Sequence, residues 1–130
     1  MRAPALLLAA ALLTGALTGC TSSGPDLPSE SAFAEGTCRA AAPDVLAVGR
    51  ALPELGDGGT VADEVRTELT TSQDRLAGLA ENAEPAVKAP LDELVVGIGL
   101  VRIRADGGTY DPELGEALER RWDALVAACT

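Results

Sequence analysis

A chain of 130 residues with 20 acidic and only 10 basic side chains has a formal net charge of −10, and it contains no histidine. Such an excess of negative charge disfavours nucleic acids and anionic membrane surfaces as partners. The absence of histidine excludes Ser-His and Cys-His nucleophile systems as well as histidine-ligated zinc and copper sites.

The first nineteen residues have the order of a secretory signal peptide. Arg2 supplies one positive charge, an apolar run extends from Ala5 to Leu17, and small residues precede Cys20. The run contains about thirteen residues, fewer than the roughly 20 that a helix needs to cross the hydrocarbon layer. We therefore expect residues 1–19 to be a targeting segment and not a transmembrane helix.

The end of this segment reads Leu17-Thr18-Gly19-Cys20. It resembles the lipobox of bacterial lipoproteins, in which an aliphatic residue and two small ones precede a cysteine. The resemblance implies cleavage after Gly19, a diacylglyceryl group on the Cys20 thiol, and anchoring to the extracytoplasmic face of the cell membrane. Two acyl chains suffice for stable anchoring, whereas one is marginal. The alternative is an ordinary secretory signal with a chance cysteine.

The codon bias implied by the composition agrees with this resemblance. Lys, Asn and Ile are scarce, while Ala, Gly, Arg, Asp and Leu are abundant. This pattern is typical of a GC-rich genome, so the chain resembles an actinobacterial lipoprotein.

The mature chain divides into a tether and one domain. Removing residues 1–19 removes one basic residue and no acid, so the net charge changes from −10 to −11. Residues 20–32 are polar and include Gly24, Pro25 and Pro28. They predict a flexible tether that spans on the order of 20 Å. Residues 33–130 have the length of one domain.

Cysteine usage predicts a disulfide in this domain. An exported protein with three cysteines has an odd thiol unless one is used otherwise, and lipid on Cys20 leaves Cys38 and Cys129. Because exported domains lie in oxidising surroundings, we expect these two to be bridged. The bridge closes a loop of about ninety residues, which the chain-entropy treatment values at roughly 4 to 5 kcal/mol. The alternative is two buried thiols.

Apolar residues recur at helical spacing in four segments of the domain. The inner stripes of the predicted helices run through Cys38, Ala41, Val45, Val48, Leu52 and Leu55; Val61, Val65, Leu69, Ser72, Leu76 and Leu79; Val87, Leu91, Leu94, Ile98, Val101 and Ala105; and Leu114, Leu118, Trp122, Leu125 and Cys129. We interpret Trp122 as a core residue because it falls on the last stripe.

Turn and capping residues separate these segments. Glycine pairs interrupt the pattern at residues 57–59 and 106–108. Thr60 and Asp63 predict a capping-box start for the second helix, and a proline near residue 85 or 90 starts the third. Asp111 is expected to cap the fourth helix, with Pro112 at its first position.

The predicted disulfide favours an even number of antiparallel helices. In an up-down-up-down four-helix bundle the start of the first helix and the end of the fourth lie at the same end. With three helices Cys38 and Cys129 would lie more than about 20 Å apart, too far for a bridge. We therefore predict an all-α, antiparallel up-down-up-down four-helix bundle closed by one disulfide. The tether then joins the bridged end, and the two glycine turns lie at the far end.

The apolar run of residues 94–101 contains Gly97 and Gly99 and is also compatible with a buried strand. If it is helical, Val96, Leu100 and Ile103 form a second stripe away from the core, which makes them the candidate partner contact. The alternative is that the third helix is simply the most buried of the four.

Candidate catalytic groups are few. No phosphate-binding loop or dinucleotide fingerprint is present. Acidic pairs such as Asp63-Glu64 and Asp92-Glu93 fall in the first turns of predicted helices, where they stabilise the helix dipole, and adjacent helical residues point apart. The acidic residues Asp57, Asp106, Asp111 and Glu113 fit turn chemistry better than a calcium site. The sequence predicts no cofactor and no metal.

Two functional classes follow from these observations. The first is a membrane-anchored, non-enzymatic interaction or structural module that binds another protein of the cell envelope. The second is a small-ligand-binding protein or a carboxylate-dependent enzyme. A filled core with one apolar outer face favours the first class, and a deep cavity lined by converging carboxylates favours the second.

Overall fold

The computed structural model describes residues 26–56 and 59–130. Within these ranges the chain forms four α-helices and two short 3-10 helices, without any β-strand. The α-helices are α1 (Thr37–Ala51), α2 (Asp63–Ala80), α3 (Pro85–Asp106) and α4 (Pro112–Cys129), and the 3-10 helices are Glu30–Ala32 and Leu52–Leu55. The predicted all-α class is confirmed, and the run of residues 94–101 is helical. The predicted signal peptide and Cys20 lie outside the described residues.

The helices form an antiparallel up-down-up-down bundle. Along the chain α1 packs against α2, α2 against α3 and α3 against α4, and α4 returns to α1. Helices α1 and α3 therefore lie on one diagonal of the bundle, and α2 and α4 lie on the other.

A disulfide closes the bundle as predicted. It joins Cys38 in the first turn of α1 to Cys129 at the end of α4, with a Cα–Cα distance of 5.3 Å. Beside it the backbone N–H of Ala34 donates a hydrogen bond to the Cys129 carbonyl, at 2.8 Å. The first and last helices are thus held together at one end of the molecule.

The predicted inner stripes form the core. Their fully buried members include Val45, Leu69, Leu76, Leu91, Leu94, Ile98, Leu118 and Leu125. Trp122 is buried, as predicted, and its indole Nε1–H donates a hydrogen bond to the Val45 carbonyl at 2.7 Å. The indole therefore links α4 to α1 inside the bundle.

The predicted starts of α3 and α4 are confirmed, and the predicted start of α2 is wrong. Pro85 is the first residue of α3, and the Asp111 carboxylate accepts a hydrogen bond from the Glu113 amide at 2.9 Å before α4. The predicted capping box of α2 is wrong, because the N-cap is Ala62, with no side-chain cap, and not Thr60. Helix α2 starts instead with acidic residues in its first turn, where they complement the helix dipole.

Helix α1 ends earlier than its apolar stripe. Residues Leu52–Leu55 continue the stripe as a 3-10 helix. Pro53 has no backbone N–H and cannot donate to the Gly49 carbonyl, so the α-helical pattern stops there. Leu52 and Leu55 are nevertheless buried, as their spacing predicts.

The segment before α1 packs on the bundle. Leu27, although 40% exposed, lies against Gly49 of α1 beside Trp122 of α4. A Cβ on Gly49 would lie 2.5 Å from the Leu27 side chain and 2.7 Å from the Trp122 side chain. The segment then runs through the 3-10 helix Glu30–Ala32 to the buried Phe33. The last residues of the predicted flexible tether are therefore part of the folded domain.

This path corrects the expectation that the tether joins the bridged end. Gly49 lies twelve residues after Thr37, or about 18 Å along α1 at 1.5 Å per residue. Because Leu27 packs beside Gly49, the segment meets the domain near the far part of α1 and runs back to the disulfide. Arg39 fixes this return path, since its guanidinium donates hydrogen bonds to the Phe33 carbonyl at 2.7 Å and 3.1 Å.

Candidate functional site: the outer face of helix α3

Three apolar side chains are exposed together on α3. Val96 is 53%, Leu100 40% and Ile103 70% exposed, which makes them the candidate contact residues that the sequence predicted. Their spacing of four and three residues places them on one side of the helix. We call these three residues the α3 face.

The opposite side of the same helix is core. Leu91, Leu94, Ile98 and Val101 are at most 1% exposed. The second stripe predicted for this helix is therefore a surface. The alternative, that the third helix is the most buried of the four, is wrong, because α1 has ten buried residues among 15 and α3 has six among 22. Such a cluster on the surface of a domain is a candidate interaction surface.

Two glycines let the neighbouring helices approach α3 closely. A Cβ on Gly97 would lie 2.9 Å from Arg121 Cδ and 3.1 Å from Leu118 Cδ1 of α4. A Cβ on Gly99 would lie 2.7 Å from the side-chain nitrogen of Gln73 of α2. The close approach that the sequence suggested for these glycines is thus present on both flanks of the α3 face.

Gln73 attaches the α2 flank of the helix. Its Nε2 donates a hydrogen bond to the Val95 carbonyl at 3.1 Å, and its Oε1 accepts one from Arg102. The Arg102 side chain is therefore directed toward α2 and away from the α3 face.

Charged residues border the α3 face at both ends. Toward the start of α3, Asp92 pairs with Lys88 at 3.2 Å and Glu93 with Arg121 of α4 at 3.5 Å. Toward the end, Arg104 is exposed and makes no ion pair within the described part of the chain. The α3 face therefore has two ion pairs at one end, in which the acidic residues belong to α3, and an unpaired positive charge at the other.

Three acidic residues outside the α3 face stabilise the fold. Arg66 of α2 contacts both Asp63 and Asp106, and its Nη1 lies 2.8 Å from the Asp106 carboxylate. Asp111 caps α4, while Asp57 lies outside the described residues. In the ranges 26–56 and 59–130 no group of three or more His, Cys, Asp or Glu side chains is placed to hold a metal ion.

One buried carboxylate was not anticipated from the sequence. Asp44 of α1 is 8% exposed, and its Oδ1 lies 3.5 Å from Arg75 Nη1 of α2. Burial raises the pKa of Asp44, and the positive charge of Arg75 opposes that shift. Asp44 follows Ala41 by three residues on the buried stripe, and this spacing was the available signal. The pair lies at the α1–α2 contact and lines neither of the two depressions described below.

Two shallow depressions on the described surface are poor ligand sites. One, of about 200 Å³, lies between the end of α1 and α4 and includes Tyr110, Glu116 and Glu119; the other, of about 240 Å³, includes Arg104, Asp111 and Glu113. Both are smaller than the roughly 300 Å³ at which small-molecule pockets begin. Their carboxylates are exposed, so neither depression is the deep cavity that the enzyme alternative requires.

None of the described helices is both long enough and apolar enough to cross a membrane. Comparisons of the chain with protein families, with curated proteins and with solved structures give no match.

Proposed function

We propose that this protein is a lipid-anchored, extracytoplasmic module of a bacterial cell envelope that acts by binding another protein and not by catalysis. The proposed anchor is the thiol of Cys20, and its support is the lipobox-like sequence Leu17-Thr18-Gly19-Cys20. The proposed contact is the α3 face.

The exposed α3 face is the observation that carries the binding role. Its three side chains are 40% to 70% exposed, while the core beneath them is filled without their help. Exposed clusters of this kind mark interaction sites more often than scattered single residues do. The glycine contacts on both flanks hold the helix at fixed positions, so the face is preorganised for a partner.

The path of the N-terminal segment supports the same role. Leu27 lies in the groove between α1 and α4, whereas α3 lies on the diagonal opposite α1. A chain anchored through its N-terminus is therefore held by the α1–α4 side. The α3 face points away from α1, which leaves it accessible to a protein beside the anchored domain.

The anchor is tested with the full chain in an actinobacterial host. We expect the protein in the membrane fraction, with an acylated N-terminal cysteine in mass spectra after signal removal. Cys20→Ser is expected to move it to the soluble fraction, because the thiol that carries the lipid is gone. Membrane retention of Cys20→Ser without acylation would contradict the proposed anchor.

The binding role is tested by charge substitution on the α3 face. Leu100→Asp is expected to reduce partner capture in crosslinked membranes, because it places a charge in the apolar contact. Its free energy of unfolding should fall by no more than about 1 to 2 kcal/mol, the contribution of the buried part of the Leu100 side chain, so the variant stays folded. Ala124→Asp adds the same charge at an exposed position of α4 and is the matched control. Unfolding of Leu100→Asp, or capture equal to that of the control, would contradict the role of this face.

A further inference from the structure

The apolar stripe of the α3 face extends along the helix with the spacing of a packing seam. Positions separated alternately by four and three residues lie on one side of α3 and its C-cap residue: Ala89, Glu93, Val96, Leu100, Ile103 and Gly107. Ala89 and Gly107 are exposed and small, so another helix can approach at both ends. A four-three alternation is the pattern by which two helices pack side by side.

We propose that the α3 face binds the α3 face of a second copy of this chain, with the two helices antiparallel. The inference rests on the proposed binding role of this face and specifies its partner. In the register that aligns these positions, Val96 lies opposite Leu100 of the second copy, and Glu93 lies opposite its Ile103. Ala89 then lies opposite Gly107, and a two-fold axis crosses the helix pair at the level of residue 98. Both copies use the same surface, as two-fold dimers do.

The charges on α3 select this partner and this direction. Helix α3 carries three basic and three acidic residues, in a chain whose net charge is −10: Lys88, Arg102, Arg104, Asp92, Glu93 and Asp106. A second copy is repelled by most of this acidic surface, but not by α3. Glu93 and Arg104 lie on the same flank of the face, at opposite ends.

Antiparallel pairing places the Glu93 carboxylate near the exposed Arg104 guanidinium of the second copy, twice in each dimer. Parallel pairing would instead place Glu93 at the level of Glu93 and Arg104 at the level of Arg104, so that no carboxylate of one copy meets the Arg104 guanidinium of the other. Because opposite charges across an interface attract and like charges repel, the charge pattern favours the antiparallel direction.

The position of the N-terminal segments is compatible with this dimer on one membrane. The α3 face points outward along the α1–α3 diagonal, so a two-fold axis perpendicular to the paired helices runs along the α2–α4 direction. The α4 sides of both copies therefore face the same way. Since Leu27 lies in the α1–α4 groove, both N-terminal segments lie on the α4 side, as anchoring of both copies in one bilayer requires.

The membrane also supplies the concentration that a contact of this size needs. Three exposed side chains on a single helix make a small interface, well below the surface that stable dimers in solution bury. Anchoring raises the effective concentration of one copy for another and strengthens a weak contact without any new interaction. We therefore expect the dimer in membranes, and dissociation after extraction and dilution.

The experiment uses the full chain in its native membrane, with two differently tagged copies and a photoreactive residue at Ala89. We expect an adduct between the two tags, mapped by mass spectrometry to the neighbourhood of Gly107. The same photoreactive residue at Ala124 of α4 is expected to give no such adduct. An adduct between Ala89 positions would overturn the antiparallel direction.

Charge variants provide the second arm. Arg104→Glu is expected to lower the adduct yield on the order of tenfold, because two ion pairs are lost and two repulsions are created. Arg104→Lys keeps the charge and should keep the yield. Glu93→Arg should also lower it, and the double variant with both charges exchanged should restore it. Glu93→Arg places a second positive charge beside Arg121, so its thermal unfolding shows whether the variant still folds. If it does not fold, the two Arg104 variants alone test the charge pairing.

The outcomes separate this inference from the proposed function. An adduct only with another envelope protein would overturn the second copy as partner and leave the α3 face a binding surface. The absence of any adduct from Ala89, with the chain still in the membrane, would overturn both. A double variant that fails to restore the yield, although it is folded, would overturn the antiparallel pairing.

Discussion

Breaking the disulfide should remove a large part of the stability of the domain. The bridge between Cys38 and Cys129 spans 91 positions of the chain, so it removes a long loop from the unfolded state. For a loop of this length the chain-entropy treatment gives roughly 4 to 5 kcal/mol. In a domain of about 100 residues that loss lowers the melting temperature by roughly 20 to 35 °C. The whole free energy of unfolding of a domain of this size is only about 5 to 15 kcal/mol.

The measurement is urea unfolding monitored by circular dichroism. It compares the oxidised protein, the reduced protein and the double variant Cys38→Ala/Cys129→Ala. Reduction removes the cross-link and keeps both buried side chains, so it isolates the effect of the loop. The double variant adds the smaller cost of lost core volume. If reduction lowers the free energy of unfolding by less than about 1 kcal/mol, with unfolding still two-state, the disulfide does not stabilise the domain by restricting the unfolded chain, and the reasoning is refuted.

Four further substitutions test other contacts. Trp122→Phe should lower the free energy of unfolding, measured in urea, by about 1 to 2 kcal/mol, because the Val45 carbonyl loses its buried hydrogen-bond donor. Hydrogen bonds from the start of α1 lower the pKa of Glu84, so its stabilising effect is present above the ordinary carboxyl pKa and is lost as the pH falls through the lowered value. Glu84→Gln should therefore reduce the acid-side loss of melting temperature; an unchanged pH profile would contradict this. Gly97→Val should destabilise by about 1 to 3 kcal/mol through overpacking, whereas Gly78→Ala, with open space around it, should stabilise by up to about 1 kcal/mol.

The periodic parts of the fold were predictable because the period itself is physical. A helix that buries one side must repeat apolar residues every three to four positions, and each of the four inner stripes matched an observed helix. Cysteine arithmetic then selected an even number of helices, and the bridge is present. The exposure of Val96, Leu100 and Ile103 followed from the same periodicity, since a helix in a bundle has room for only one buried side.

Long-range contacts were not predictable in the same way. Glu84, 47 positions from Thr37, accepts its amide hydrogen bonds and replaces a local cap for α1. Nothing in the local sequence connects these two residues. The docking of Leu27 depends likewise on Gly49 leaving space beside Trp122, which is a property of the assembled bundle. The wrong start of α2 has a related cause, because a threonine followed by an acid three residues later is common outside helix starts too.

The composition of the α3 face argues that folding stability alone does not explain it. Val96 and Ile103 are β-branched, and such residues lose side-chain freedom in a helix that Lys, Glu or Arg would keep. They gain little from burial, since 53% and 70% of their surface remains in water. Exposed positions on α2 and α4 instead carry small residues such as Ala124, or polar and charged side chains such as Thr67, Asp74 and Arg120. An apolar stripe at this place therefore costs the isolated domain helix propensity and solubility, and a second surface that covers it would offset both costs.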